Sequence, residues 1–101
     1  MALIKNKVTR FGIEAGYWKV SMISIDRHMK EAAYSLHLYL KKGASDFIES
    51  YTVSLLGMED KSMYLEYFEG DKYPNIYTAC YEHAKTHEEF FKDAFSDNTD
   101  I

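Results

Sequence analysis

Cysteine and proline each occur once in 101 residues, and glycine only five times. A single cysteine, Cys80, cannot close an internal disulfide, so the fold must be held by its core rather than by cross-links. The glycines are scattered and make neither a dinucleotide nor a phosphate loop. No apolar run approaches the roughly 18 residues needed to span a membrane. The opening Met-Ala-Leu-Ile-Lys-Asn also lacks the basic-then-apolar order of a secretion signal, so a cytoplasmic chain is expected. A basic excess is missing too, since the formal net charge is −4. Without a basic stripe interleaved with aromatics, nucleic-acid binding is not expected.

Apolar and aromatic residues are abundant. Hydrophobic residues make up 47% and aromatics 16% of the chain, which suffices for a folded core and argues against disorder. A chain of this length bears one core and therefore one domain. Charge is unevenly divided: residues 1–50 carry eight Lys and Arg against five Asp and Glu, residues 51–101 four against eleven, giving +3 and −7.

The most informative stretch is Tyr17 to Lys42. It reads as two long strands folded back across the polar turn Asp26–Lys30. In the second strand Tyr34, Leu36, Leu38 and Leu40 alternate with Ser35, His37, Tyr39 and Lys41, the period-two signature of a pleated strand with one buried face. The first strand, from about Ile13 to Ile25, slips in its alternation. Trp18, Val20 and Met22 share one face, then Ile23 and Ile25 take the other, so either both faces are covered or a β-bulge shifts the register. The pattern is read as one face under a helix and the other partly covered.

Before this hairpin, Ala2 to Val8 reads as an edge strand guarded by Lys5 and Lys7, with Gly12 supplying positive φ for the turn that follows. After it, Gly43 to Phe47 is a link and Ile48 to Leu56 a fourth strand, with Tyr51, Val53 and Leu55 on one side. Gly57 to Lys61 is a turn. Residues 62–68 fit a last strand or a helical turn, and their aromatic run favours the strand. Following Pro74, the spacing predicts a helix from Asn75 to Thr86, with a possible continuation to Phe95. Its apolar stripe is drawn by Ile76, Tyr77, Cys80, Tyr81, Ala84, His87, Phe91 and Ala94. The expected architecture is therefore α+β: an antiparallel β-meander of four to five strands with one C-terminal helix packed on one face. It forms a single domain over residues 1–95 with a flexible polar tail over 96–101.

Chemistry is sparse. Cys80, His83 and His87 stand at helical spacing, as ligands of a soft divalent ion would. A small buried cysteine beside a histidine at a helix margin is the plainer reading, and neither metal nor cofactor is assigned. Cys80 with a nearby histidine lacks an oxyanion hole and an orienting third group on one helix. Glu59-Asp60 and Glu88-Glu89 are neighbours in sequence and need not share a cleft as general acid and base. No catalytic residue is assigned. The remaining candidate is a contact surface. Ser35, His37 and Tyr39, with Tyr17 of the preceding strand, lie on whichever side of the sheet is not under the helix, and Tyr and His combine apolar area with a polar tip.

The order of these features resembles a known group. Met-Ala-Leu-Ile-Lys-Asn, the turn at Phe11-Gly12, Tyr17-Trp18-Lys19-Val20, Ile23-Ser24-Ile25-Asp26, and the alternating strand ending Leu38-Tyr39-Leu40-Lys41-Lys42 carry the likeness. Asn75-Ile76-Tyr77 to Tyr81 and Thr86-His87-Glu88-Glu89-Phe90 continue it. Together they resemble the small proteins encoded among the tail and baseplate genes of phages and prophages of Gram-positive bacteria. This chain differs from many of them in its short link between the third and fourth strands. The resemblance implies a structural or assembly role through contact with tail or baseplate proteins or with further copies of itself. It places the protein in the cytoplasm of a bacterial host or in the virion. The competing expectation is a small acidic inhibitor of a host nuclease or defence protein, whose carboxylates would imitate a phosphate backbone.

Overall fold

A computed structural model describes residues 1–56 and 60–97 of the chain. Strands β1 (Ala2–Val8), β2 (Glu14–Asp26), β3 (Glu31–Tyr39), β4 (Phe47–Leu55) and β5 (Phe95–Asp97) form one antiparallel sheet in the order β4-β3-β2-β1-β5. A short helix α1 (Lys61–Tyr64) widens into a π-helical turn over Leu65–Glu69. The main helix α2 (Ile76–His87) follows, then a 3₁₀ turn at Glu89–Phe91. The fold is the expected α+β meander, but the helix is not C-terminal, because β5 follows it.

The slipped alternation of β2 is a bulge. Val20 stands opposite Leu36 and Met22 opposite Ser35, so Ser21 is one extra residue. Trp18 and Val20 face the core before it. Ile23, opposite Tyr34, packs half-buried against the core after it, and Ile25, opposite Ala32, points to the same side at its exposed margin, while Met22 turns to the other side. Tyr81 of α2 supports the irregularity, its hydroxyl accepting a buried hydrogen bond from the Val20 amide at 2.7 Å. Where a bulge interrupts the ladder, backbone groups need another partner.

β1 and β4 also carry one extra residue each, between Ile4 and Lys7 and at Ile48. Next to the first of these, a Cβ on Gly16 would overlap the Asn6 side chain and press on the Asn6 backbone, so a larger residue there would displace Asn6. Bulges increase twist, and the sheet coils. Strands three apart lie about 14 Å from each other in a flat sheet, yet Lys7 Nζ of β1 reaches Glu49 Oε1 of β4 at 2.6 Å. The Arg10 amide donates to the other Glu49 oxygen at 2.9 Å, tying the β1–β2 turn to β4. The Lys7 ammonium and then the Arg10 amide hold the Glu49 carboxyl below its usual range.

The core lies between the coiled sheet and the helical segments. Trp18, Tyr34, Leu36, Leu38 and Leu55 are fully buried beneath Cys80, Ala84 and Phe91. Phe91 meets Trp18 edge-on at 5.3 Å and Tyr51 at 5.1 Å, so the 3₁₀ turn closes the core at that end. Tyr51, Val53 and Leu55 share the core face, as the alternation predicts, each opposite a core-facing residue of β3.

Other expectations need correction. Leu40 lies beyond the end of β3 and is 54% exposed, so it is not part of the core face. β1 is an edge only beyond Ile4, because β5 pairs with Ala2 to Ile4. Lys5 and Lys7 stand on that uncovered stretch, and both are also engaged in ion pairs, with Asp93 and Glu49. Residues 62–68 are helical. Tyr64 and Tyr67, three apart, are both buried, and a helix places that pair on one side where a strand would not. Helix α2 begins at the Asn75 cap, whose side chain accepts from the Thr78 amide at 2.9 Å. Its buried stripe is rotated from the expected one. Ile76, Tyr77 and His87 are exposed, and Ala79 and His83 are buried instead. Phe95, Ser96 and Asp97 form β5, so Ser96 and Asp97 leave the polar tail. Lys85 Nζ donates to Ser96 Oγ at 2.8 Å. The expected turn at Gly57–Glu59, Glu59 of the adjacent carboxylate pair and tail residues 98–101 lie outside the described residues.

Leu38 has no exposure and sits between Trp18 and Glu49 in register. Leu38→Ala is expected to cost about 2–5 kcal/mol of unfolding free energy, measured by urea denaturation. A cost below about 0.5 kcal/mol would show that this face is not the core.

Candidate functional site: the helix-free face of the sheet

All helical segments lie on one side of the sheet. On the other side the register aligns one residue from each strand: Phe95 opposite Ile4, Ile4 opposite Tyr17, Tyr17 opposite Tyr39 and Tyr39 opposite Phe47. An apolar, mostly aromatic row thus crosses all five strands. The residue row beside it contains Lys19, His37 and Ser50, and the next Met22, Ser35 and Thr52. The four residues expected on an open face, Tyr17, Ser35, His37 and Tyr39, are therefore brought together there, but Tyr17 and His37 are buried and only Ser35 and Tyr39 are partly open.

Their neighbours fix them. His37 is only 8% exposed because its ring stacks on Phe47 at 3.8 Å between centroids, and desolvation lowers its pKa. The bulge at Ile48 sets the Phe47 register that permits this stack. Tyr17 Oη donates to Asp97 Oδ2 at 3.3 Å, and Lys42 Nζ pairs with the same oxygen at 3.1 Å. Ser35 and Thr52 hydroxyls are hydrogen-bonded at 3.0 Å. Around this ordered centre large apolar side chains remain open: Phe95 is 78%, Met22 66% and Phe47 50% exposed. Exposed apolar side chains gathered on one face are the kind of surface that marks a contact site. Sequence reasoning missed Ile4, Phe47, Met22 and Phe95. Phe47 stood in a link and Phe95 at a helix end, and a cross-strand row is visible only when the register is known.

The helix cluster has a different character. Tyr34 Oη lies 2.7 Å from His83 Nδ1, and Met63 Sδ lies 3.1 Å from His83 Nε2. A thioether only accepts, so the favourable assignment places the proton on Nε2, with the Tyr34 hydroxyl donating to Nδ1. Both ring nitrogens are then engaged within the protein. Tyr67 packs edge-on against His83 at 5.1 Å and His87 at 5.7 Å. Burial, followed by the neighbouring His87, lowers the His83 pKa to about 4. Burial raises the Cys80 thiol to about 12, which keeps it protonated and poorly nucleophilic. Among the described residues no three His, Cys, Asp or Glu side chains converge as an ion site. No helix among them is long and apolar enough to cross a membrane.

No protein-family model, curated protein or solved structure matches the chain.

His83 ties stability to pH. Its folded pKa lies below its ordinary value of 6.5. The unfolded chain therefore binds a proton first, and stability present above about pH 6.5 is lost as pH falls towards 4. The expected loss is about 2 kcal/mol over that interval, allowing for partial screening. Denaturant titrations at stepped pH should show this slope, and His83→Gln should flatten it. An unchanged slope in that variant would assign the effect to other groups.

Proposed function

We propose that this chain is a non-enzymatic phage or prophage protein that acts through protein–protein contact, as a tail or baseplate component or an accessory to their assembly. The observation that carries the contact reading is the row Phe95–Ile4–Tyr17–Tyr39–Phe47 across the helix-free face, flanked by His37 and Met22. Its aromatics combine large area with few rotatable bonds, a property of interface anchors. The phage setting rests on the sequence resemblance. The occupant that suits the face is a largely apolar protein surface shaped to the coil of the sheet, with a hydrogen-bonding group opposite Tyr39.

The helix chemistry supports a non-catalytic reading, since the Cys80 thiol stays protonated and His83 is held between Tyr34 and Met63. The inhibitor alternative needs carboxylates on one continuous face. Instead Lys5, Lys7, Lys30, Lys42, Lys72 and Lys92 each pair with an Asp or Glu, and these pairs are distributed over strands, turns and helices. Such interleaving favours ordinary solvation over phosphate mimicry.

The test is co-purification of the tagged chain from induced cells carrying a prophage that encodes it, with the Phe95→Ser/Met22→Ser variant in parallel. Both substitutions fall on exposed side chains, and the variant should keep its melting temperature. The wild type should bring down tail or baseplate proteins, and the variant should recover at least tenfold less. Recovery of a host nuclease instead, or equal recovery by the variant, would overturn the reading.

A further inference from the structure

β4 is the outermost strand of the sheet, with β3 on one side and no strand on the other among the described residues. An outer strand points alternate N–H and C=O groups away from its neighbour, and natural proteins guard such edges with Lys, Pro, bulges or short length. The opposite edge is guarded, since β5 has three residues and the stretch of β1 beyond it carries Lys5, Lys7 and a bulge. β4 has nine, and none is Lys, Arg, Pro or Gly. Its one charge, Glu49, is turned to Lys7 and the Arg10 amide. Its bulge lies at the start of the strand, leaving Glu49 to Leu55 in unbroken register with β3. The result is a regular template seven residues long with no Lys, Pro or internal bulge.

The order of side chains along that template suggests its occupant. Ser50-Tyr51-Thr52-Val53-Ser54 is chemically palindromic about Thr52. Hydroxyls occupy the centre and both ends on the helix-free side, and Tyr51 and Val53 flank the centre on the core side. We propose that β4 pairs antiparallel with β4 of a second copy of this chain, about a two-fold axis at Thr52. Thr52 then faces Thr52 of the second copy, Ser50 faces Ser54, Tyr51 faces Val53 and Glu49 faces Leu55. Hydroxyl–hydroxyl and aromatic–β-branched neighbours are favourable cross-strand pairs, and no like charges are opposed. The two Glu49 carboxylates lie at opposite ends of the seam. An axis perpendicular to the sheet keeps both helical layers on one side and both aromatic rows on the other. Pairing thus yields a continuous ten-stranded sheet with a doubled helix-free face, ten being twice the five strands of one chain. This arrangement is isologous and closes at two copies.

Strand pairing alone covers less than the roughly 1,200 Å² of a stable interface, so the dimer should be weak and its population should rise with protein concentration. Sedimentation equilibrium over a concentration series tests it. The wild type should show a monomer–dimer equilibrium, and Thr52→Lys, which sets two ammonium groups face to face, should raise the dissociation constant at least tenfold. Thr52 is exposed, so circular dichroism should confirm that this variant folds. Register is tested by oxidation. Thr52→Cys should give a covalent dimer, whereas Ser50→Cys, facing Ser54, should cross-link far less, with buried Cys80 silent in both. A wild type monomeric at every concentration, a dimer indifferent to Thr52→Lys, or equal cross-linking at both positions would overturn the proposal.

Discussion

The hydrogen bond from the Val20 amide to the Tyr81 hydroxyl joins the two layers at the point where the sheet is irregular. Upstream of Ser21, Trp18 and Val20 face the helix; downstream, Ile23 and Ile25 do. Had β2 continued in regular register, Ile23 and Ile25 would project from the helix-free face and Met22 would enter the core. The bulge therefore decides which side chains point towards the helices along the second half of β2, and a helix residue 61 positions away supplies an acceptor where it begins. A one-residue slip in a strand with one buried face carries the cost of every inverted side chain, so register and helix docking are set together.

The same irregularities shape the far side. The Ile48 bulge allows Phe47 to stack on His37, and the coil of the sheet brings Lys7 to Glu49. Helical segments cover one side. On the other, β5 completes the row from Phe95 to Phe47 and is anchored by Tyr17 and Lys42 on Asp97. The helix-free face is thus ordered at its centre and apolar at its margins, a combination that favours contact because little side-chain freedom remains to be lost there.

What could be read from the sequence followed periodicity. β3 and β4 alternate cleanly and their faces were legible, as was helix α2 with its Asn75 start. In β2 the slip was visible, but its cause was not, because a bulge and a two-sided burial leave the same trace in one strand. Residues 62–68 fit either a strand or a helical turn in sequence, and their aromatics tip the reading to the strand although Tyr64 and Tyr67 are spaced for one buried side of a helix. β5 is three residues long and polar at two of them, which gives no periodic signal at all. Of the candidate face, Tyr17, Ser35, His37 and Tyr39 were found from alternation, while Phe95 and Phe47 depended on pairings between distant parts of the chain.

The most direct measurement is hydrogen exchange of the Val20 amide in the wild type and in Tyr81→Phe. If Tyr81 supports the bulge, the variant leaves a buried donor without an acceptor and loses about 1–3 kcal/mol of stability. Val20 protection should then fall more than that of Leu36 on the neighbouring strand. Unchanged protection at Val20, with a stability change below about 0.5 kcal/mol, would contradict the claim that this bond fixes the register of β2.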